Sequence, residues 1–213
     1  GDLGLTDSPT THYILAGFSI HHGDWAAFSC LLRSFRLEIH AQFGFPATKE
    51  LHAAELLGGA NAVCGVGRHE RLLIARHLIY RLARCGLIKV FAWVVRKSDT
   101  CPIALIAPCA MRDLERWTQA GALSDAKSCQ HKGFYVIHDR MSSPLFKDMP
   151  RPPLLVGHPI GQCSQEVEMI QVADLIAYAV KQKYSPNRYA LRSGAVTLCD
   201  KLKPISLGWI EVS

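Results

Sequence analysis

The stretch that most constrains this chain is Ile170 to Tyr178, IQVADLIAY, a strongly apolar run that contains a glutamine and an aspartate. Read as a helix, it sets Gln171, Asp174, Tyr178 and Lys181 at the spacing i, i+3, i+7 and i+10, so they form one line along its surface. Residues such as Val167, Ile170, Val172, Leu175, Ile176 and Val180 surround that line, and the helix is expected to pack on most of its circumference. The polar line then faces water, a partner or a site. A carboxylate held in it is costly unless a positive group meets it.

Upstream, Tyr13 to Ile20 reads as a buried strand after a turn-like opening, and the strand that pairs with it is expected before residue 1. Asp24 is positioned to cap a helix running to about Phe43, with Trp25, Phe28, Leu32, Phe35 and Ile39 on one face and Gly44 and Pro46 as its stop. A glycine-bearing loop (Gly58, Gly59, Gly65, Gly67) leads into a second helix, Arg68 to Arg84, ended by Gly86. Its arginines, Arg68, Arg71, Arg76, Arg81 and Arg84, do not share one face, which favours a solvated helix over a nucleic-acid face. Leu87 to Val95 is a β-rich run and Ala107 to Ala120 a helix. Phe134 to Ile137 and Leu154 to Val156 are short strands, and Val196 to Leu202 is a short helix in the tail. The order is that of an α/β fold.

At 213 residues, 49% hydrophobic and 20% charged, the chain fits one globular domain. No apolar run reaches the roughly 18 residues of a membrane span, and no signal-peptide pattern opens the sequence, so no membrane partner is expected and a cytoplasmic location is the default. The eight cysteines show no CxxC pair, which favours scattered thiols over a disulfide framework or a zinc site. A formal charge of +6 permits a phosphate-bearing partner such as nucleic acid without requiring one.

Three acidic positions stand out as candidates for chemistry: Asp139 at the end of a strand, Asp174 on the apolar helix, and Glu50 in Lys49-Glu50-Leu51-His52. If that last segment is extended, Glu50 and His52 point to the same side. An Asp directly after Phe-Tyr-Val-Ile sits where α/β folds set functional groups, although such an Asp also forms turns. Carboxylates gathered from distant parts of a chain repel unless a cation lies between them, and oxygen-rich sites suit Mg²⁺ or Mn²⁺. Two such ions roughly 3.5 to 4 Å apart can activate water against a phosphodiester. The sequence offers no P-loop, GxSxG, HExxH or Rossmann glycine fingerprint.

In order along the chain, these residues resemble a bacterial and phage family catalogued as domain of unknown function 3800. Gly1-Asp2-Leu3-Gly4 is similar to the end of its Asp-Glu-Ser-Gly-Asp start, with the Asp-Glu pair expected before Gly1, and Tyr13 to Ser19 is similar to its next strand. Glu50-Leu51-His52-Ala53 resembles its Glu-x-His-Ala motif, Val136 to Asp139 its strand ending in Asp, and Ile170 to Tyr178 its Gln-x-Ala-Asp helix. The loop from Gly157 to Glu168 departs from the family, carrying His158, Glu166 and Glu168 instead of an Asp-Ser pair. The resemblance implies an RNase H-like domain over residues 1–183, with a central mixed sheet flanked by helices, and leaves 184–213 as a C-terminal extension packed on the same domain. It further implies Glu50, His52, Asp139 and Asp174 as site residues, with Gln171 in support and Asp2 at the edge.

Two functions follow as expectations. The first is a metal-dependent nuclease or other phosphodiester-processing enzyme, with Asp139, Asp174 and Glu50 holding Mg²⁺ or Mn²⁺ and His52 transferring protons. The second is a non-catalytic module that binds nucleic acid or a protein in a mobile-element or phage-defence system. An enzyme acting on a phosphorylated small molecule is a third.

Overall fold

The computed structural model describes residues 10–58, 63–97, 102–123, 133–140 and 151–212. Its centre is strand β2, Ile88–Arg96. The run Ile-Lys-Val-Phe-Ala-Trp-Val-Val is apolar without alternation because β2 is covered on both faces, as a central strand requires. Ile88, Val90, Ala92 and Val94 enter one core, and Phe91, Trp93 and Val95 the other.

Strand β1, His12–Ile20, lies antiparallel to β2 across nine residues, from His12 opposite Arg96 to Ile20 opposite Ile88. Strand β5, Ser206–Val212, lies parallel to β2 on its other side, giving a mixed sheet in the order β1-β2-β5. The larger core packs α1 (Trp25–Phe43), α2 (Ala53–Leu57), α3 (Arg68–Arg84) and α5 (Glu168–Tyr184) on one side of this sheet. Helix α4, Pro102–Gln119, covers the opposite side, where Ile106, Ala110, Met111 and Trp117 meet Phe91 and Trp93. The chain is therefore mixed α/β, a small mixed sheet flanked by helices. No described helix is long and apolar enough to cross a membrane.

Several local expectations are corrected. Asp24 makes no side-chain cap; instead a 3₁₀ turn, His22–Asp24, runs directly into α1, and its opening N–H, that of Gly23, is met by His21 Nδ1 at 3.3 Å. The buried face of α1 begins at Phe28, since Trp25 is 41% exposed, and it includes Arg36. Gly44 ends α1 as read, taking the left-handed φ of 68° that favours glycine. Helix α4 begins earlier than expected, with Pro102 in its first turn, where the missing N–H costs nothing.

Strand β3 is Ile137–Asp139, later than read, and it pairs in parallel with β4, Ile160–Gln162. Phe134 and Leu155, expected within strands, meet only through an isolated bridge. Tail residues Ala195–Ile205 form a 3₁₀ segment in place of the expected short helix, preceded by α6, Arg188–Ser193. Strand β5 was not anticipated. Its register shifts opposite Val90 and Phe91, and Gly208 at φ 142° inserts a step, so Leu207 and Ile210 share a core although they are an odd number of residues apart. That bulge erases the period-two pattern by which a strand is read. The opening residues, Asp2 among them, lie outside the described residues.

Candidate active site

Helix α5 turns its polar line toward residues 47–53, the segment that joins α1 to α2. Gln171 is 4% exposed and fully engaged. Its Oε1 accepts the Leu51 backbone N–H at 3.0 Å and a guanidinium N–H of Arg36, while its Nε2 donates to Ser164 O at 2.6 Å. One turn on, Asp174 Oδ2 accepts the Ala53 backbone N–H at 2.9 Å and lies 3.0 Å from His52 Nδ1. Leu51 and Ala53 are two residues apart in chain running extended into α2, so their amides face one way and meet acceptors three apart on a helix. The two side chains thus clamp the segment, and Asp174 satisfies an N–H of the first turn of α2 that has no partner within that helix.

Arg36 is the counterpart that the sequence reading missed. Only 7% exposed, it donates to Ala47 O at 3.0 Å and Lys49 O at 2.7 Å, and pairs with Glu168 at 2.9 Å. Burial pulls its pKa below the ordinary guanidinium value, opposed by the adjacent Glu168 and by the charge of Glu50. The signal available in sequence was an arginine at position i+4 from Leu32 and i−3 from Ile39, on the buried stripe of α1.

Among the described residues, His52 and Asp174 form the one pair of expected site residues in direct contact. Because the acceptor is a carboxylate, the imidazole donates from Nδ1, and its Nε2 lone pair is left for another proton. His52 remains half exposed and Asp174 somewhat less so, which leaves the pair open to a substrate. Glu50 is half-buried beside them in sequence, and Asp139 is exposed at the end of β3. Among the described residues, no hydrogen bond or ion pair links either carboxylate to the His52–Asp174 pair. Nor do any three His, Cys, Asp or Glu side chains among them form a group that could hold a metal ion, so the donor set expected for Mg²⁺ or Mn²⁺ at Glu50, Asp139 and Asp174 is not gathered there.

The remaining members of the polar line are also occupied. Lys181 Nζ lies 5.0 Å from the centre of the Tyr178 ring. Burial raises the Tyr178 pKa above its ordinary value, reinforced by the charge of Asp174 and opposed by the polar side chains of Asn187 and Gln182. Of the arginines of α3, Arg71 is wholly buried and donates to Val66 O at 3.2 Å, and Arg81 pairs with Glu38. The α3 arginines therefore divide between core and surface, and are not uniformly solvated.

Compared with models of protein families, with curated proteins and with solved structures, the chain finds no match in any of the three.

Proposed function

We propose that this protein processes phosphodiester bonds of nucleic acid, with His52 as its acid–base group and Asp174 as the residue that orients it. The observation behind this reading is the 3.0 Å contact between His52 Nδ1 and Asp174 Oδ2 at an open surface. A carboxylate so bonded fixes the imidazole tautomer and ring orientation and stabilises the imidazolium. Nε2 then takes a proton from an attacking water or hydroxyl and, once protonated, returns it to the leaving oxygen. Asp174 is itself steadied by the Ala53 N–H. The resemblance to domain of unknown function 3800 and its RNase H-like arrangement agrees with the mixed sheet flanked by helices, and belongs to this proposal.

A metal is given no step in this mechanism, because the expected donors do not converge among the described residues. That same observation favours a second reading, a module that binds nucleic acid without cutting it. Cleavage assays on single- and double-stranded DNA and RNA, with and without Mn²⁺ or Mg²⁺, decide between the two. The enzyme reading expects His52→Ala to lower cleavage by about 10²- to 10⁴-fold and Asp174→Asn to lower it too, both variants still folding cooperatively. Unchanged cleavage in both variants overturns the assignment. Salt-sensitive binding that persists in EDTA, with no product from any substrate, selects the binding module.

A further inference from the structure

We infer that the groove between α3 and α6 seats the phosphate backbone of a nucleic-acid strand, an inference that rests on the reading of the protein as one acting on nucleic acid. The groove has a volume of about 370 Å³ and is lined by Arg68, His69, Leu72, Arg76, Tyr189 and Ser193. Tyr189 fixes one end: its hydroxyl donates to Arg68 O at 3.0 Å, and the Arg68 guanidinium lies 5.3 Å from the ring centre. Arg76 fixes the other, donating to Ser193 O at 2.7 Å.

Among the described residues, neither arginine has a carboxylate partner, although five ion pairs among those residues engage an arginine or lysine outside the groove. Arg76 is half-buried with one of its five donors used, and Ser193 Oγ is buried with no hydrogen-bond partner among those residues. A half-buried and an exposed guanidinium, both without a carboxylate, facing a groove with a spare hydroxyl call for an anion, and the planar fork suits phosphate oxygens.

The spacing favours a polymer over a single phosphate. Eight residues of helix separate the two Cα atoms by about 12 Å, which spans about three phosphates of a strand rising about 3.4 Å each. The Asn187 side chain accepts the Ala190 N–H at 2.7 Å and so caps the helix that carries Tyr189.

The test is fluorescence anisotropy with fluorescein-labelled single-stranded DNA and RNA, in EDTA so that binding is read apart from cleavage. Arg68→Glu and Arg76→Gln are each expected to weaken binding about tenfold and to lower the salt slope by about one. Arg33→Glu, on the exposed face of α1, is expected to stay within about twofold, as a control for net charge. Urea unfolding confirms that each variant is folded, and Arg68→Gln repeats the test at an exposed position without reversing the charge. Wild-type affinity in the Arg68 and Arg76 variants overturns the groove, as does equal weakening by Arg33→Glu. If those variants bind normally while His52→Ala abolishes cleavage, the groove fails and the phosphodiester reading stands. If they lose binding while the wild type cuts nothing, the groove stands and the protein is a binding module.

Discussion

His52 Nδ1 and the backbone N–H of Ala53 converge on a single oxygen, Asp174 Oδ2, at 3.0 and 2.9 Å. Asp174 therefore does two things: it orients an imidazole, and it holds the start of α2 against α5. Removing it should affect stability as well as chemistry. Asp174→Ala is expected to cost about 1 kcal/mol, the size of one lost helix cap, and Asp174→Asn less, since its amide oxygen still accepts. Urea unfolding measures both, and amide exchange at Ala53 should quicken in the alanine variant. Equal stability of wild type and Asp174→Ala would show that the clamp holds nothing.

Gln171 is the more structural half of the clamp. Gln171→Leu leaves the Leu51 N–H and an Arg36 N–H without their acceptor in a site only 4% exposed at the glutamine. Two buried donors stranded together should cost about 2 to 4 kcal/mol, measured by urea unfolding. Gln171→Glu keeps both acceptances but turns an oxygen toward the Ser164 carbonyl in place of a donor, a repulsion offset by the added charge beside Arg36, so a milder loss is expected.

Alkaline stability should depend on Tyr178. Its folded pKa is raised, chiefly by burial, above the model-compound value of 10.0. Above pH 10 the unfolded chain then loses this proton before the folded one does, so folding stability falls as pH rises through the unfolded value toward the folded one. Tyr178→Phe removes the titrating group, and its melting temperature is expected to decline less steeply than that of the wild type between pH 9 and 11. Parallel curves would contradict this.

The second core has its own polar anchor. Trp93 Nε1 donates to Asp113 Oδ2 at 2.9 Å, Asp113 is 7% exposed, and Trp117 stacks 5.8 Å from Trp93. Asp113→Ala strands the indole N–H and should cost about 2 kcal/mol. The tryptophan fluorescence of the folded state should shift as well, and an unchanged spectrum and midpoint would refute the anchor.

Much of this architecture is legible from local pattern. The helix over Arg68–Arg84 and the long strands are read nearly to the residue, because apolar spacing at 3.6 or a continuous apolar run is a property of neighbouring residues. Strand β5 escapes because its bulge at Gly208 breaks the alternation. The strands near Phe134 and Leu155 are misplaced because a three-residue pairing leaves almost no periodic trace. In the site, the line of Gln171 and Asp174 is visible in the sequence, whereas Arg36 reads only as one charge among apolar neighbours on α1.

By itself, the sequence determined that one apolar helix carries Gln171, Asp174 and Tyr178 along a line, since helical spacing is set by the backbone alone. Tertiary structure decided what that line meets. The amides of Leu51 and Ala53, the His52 ring and the Arg36 guanidinium come from more than a hundred residues upstream. A hydrogen bond belongs to a pair of groups, and no local periodicity specifies a partner at that separation. The same holds for Arg68 with Tyr189 and Arg76 with Ser193, joined only where α6 folds back onto α3.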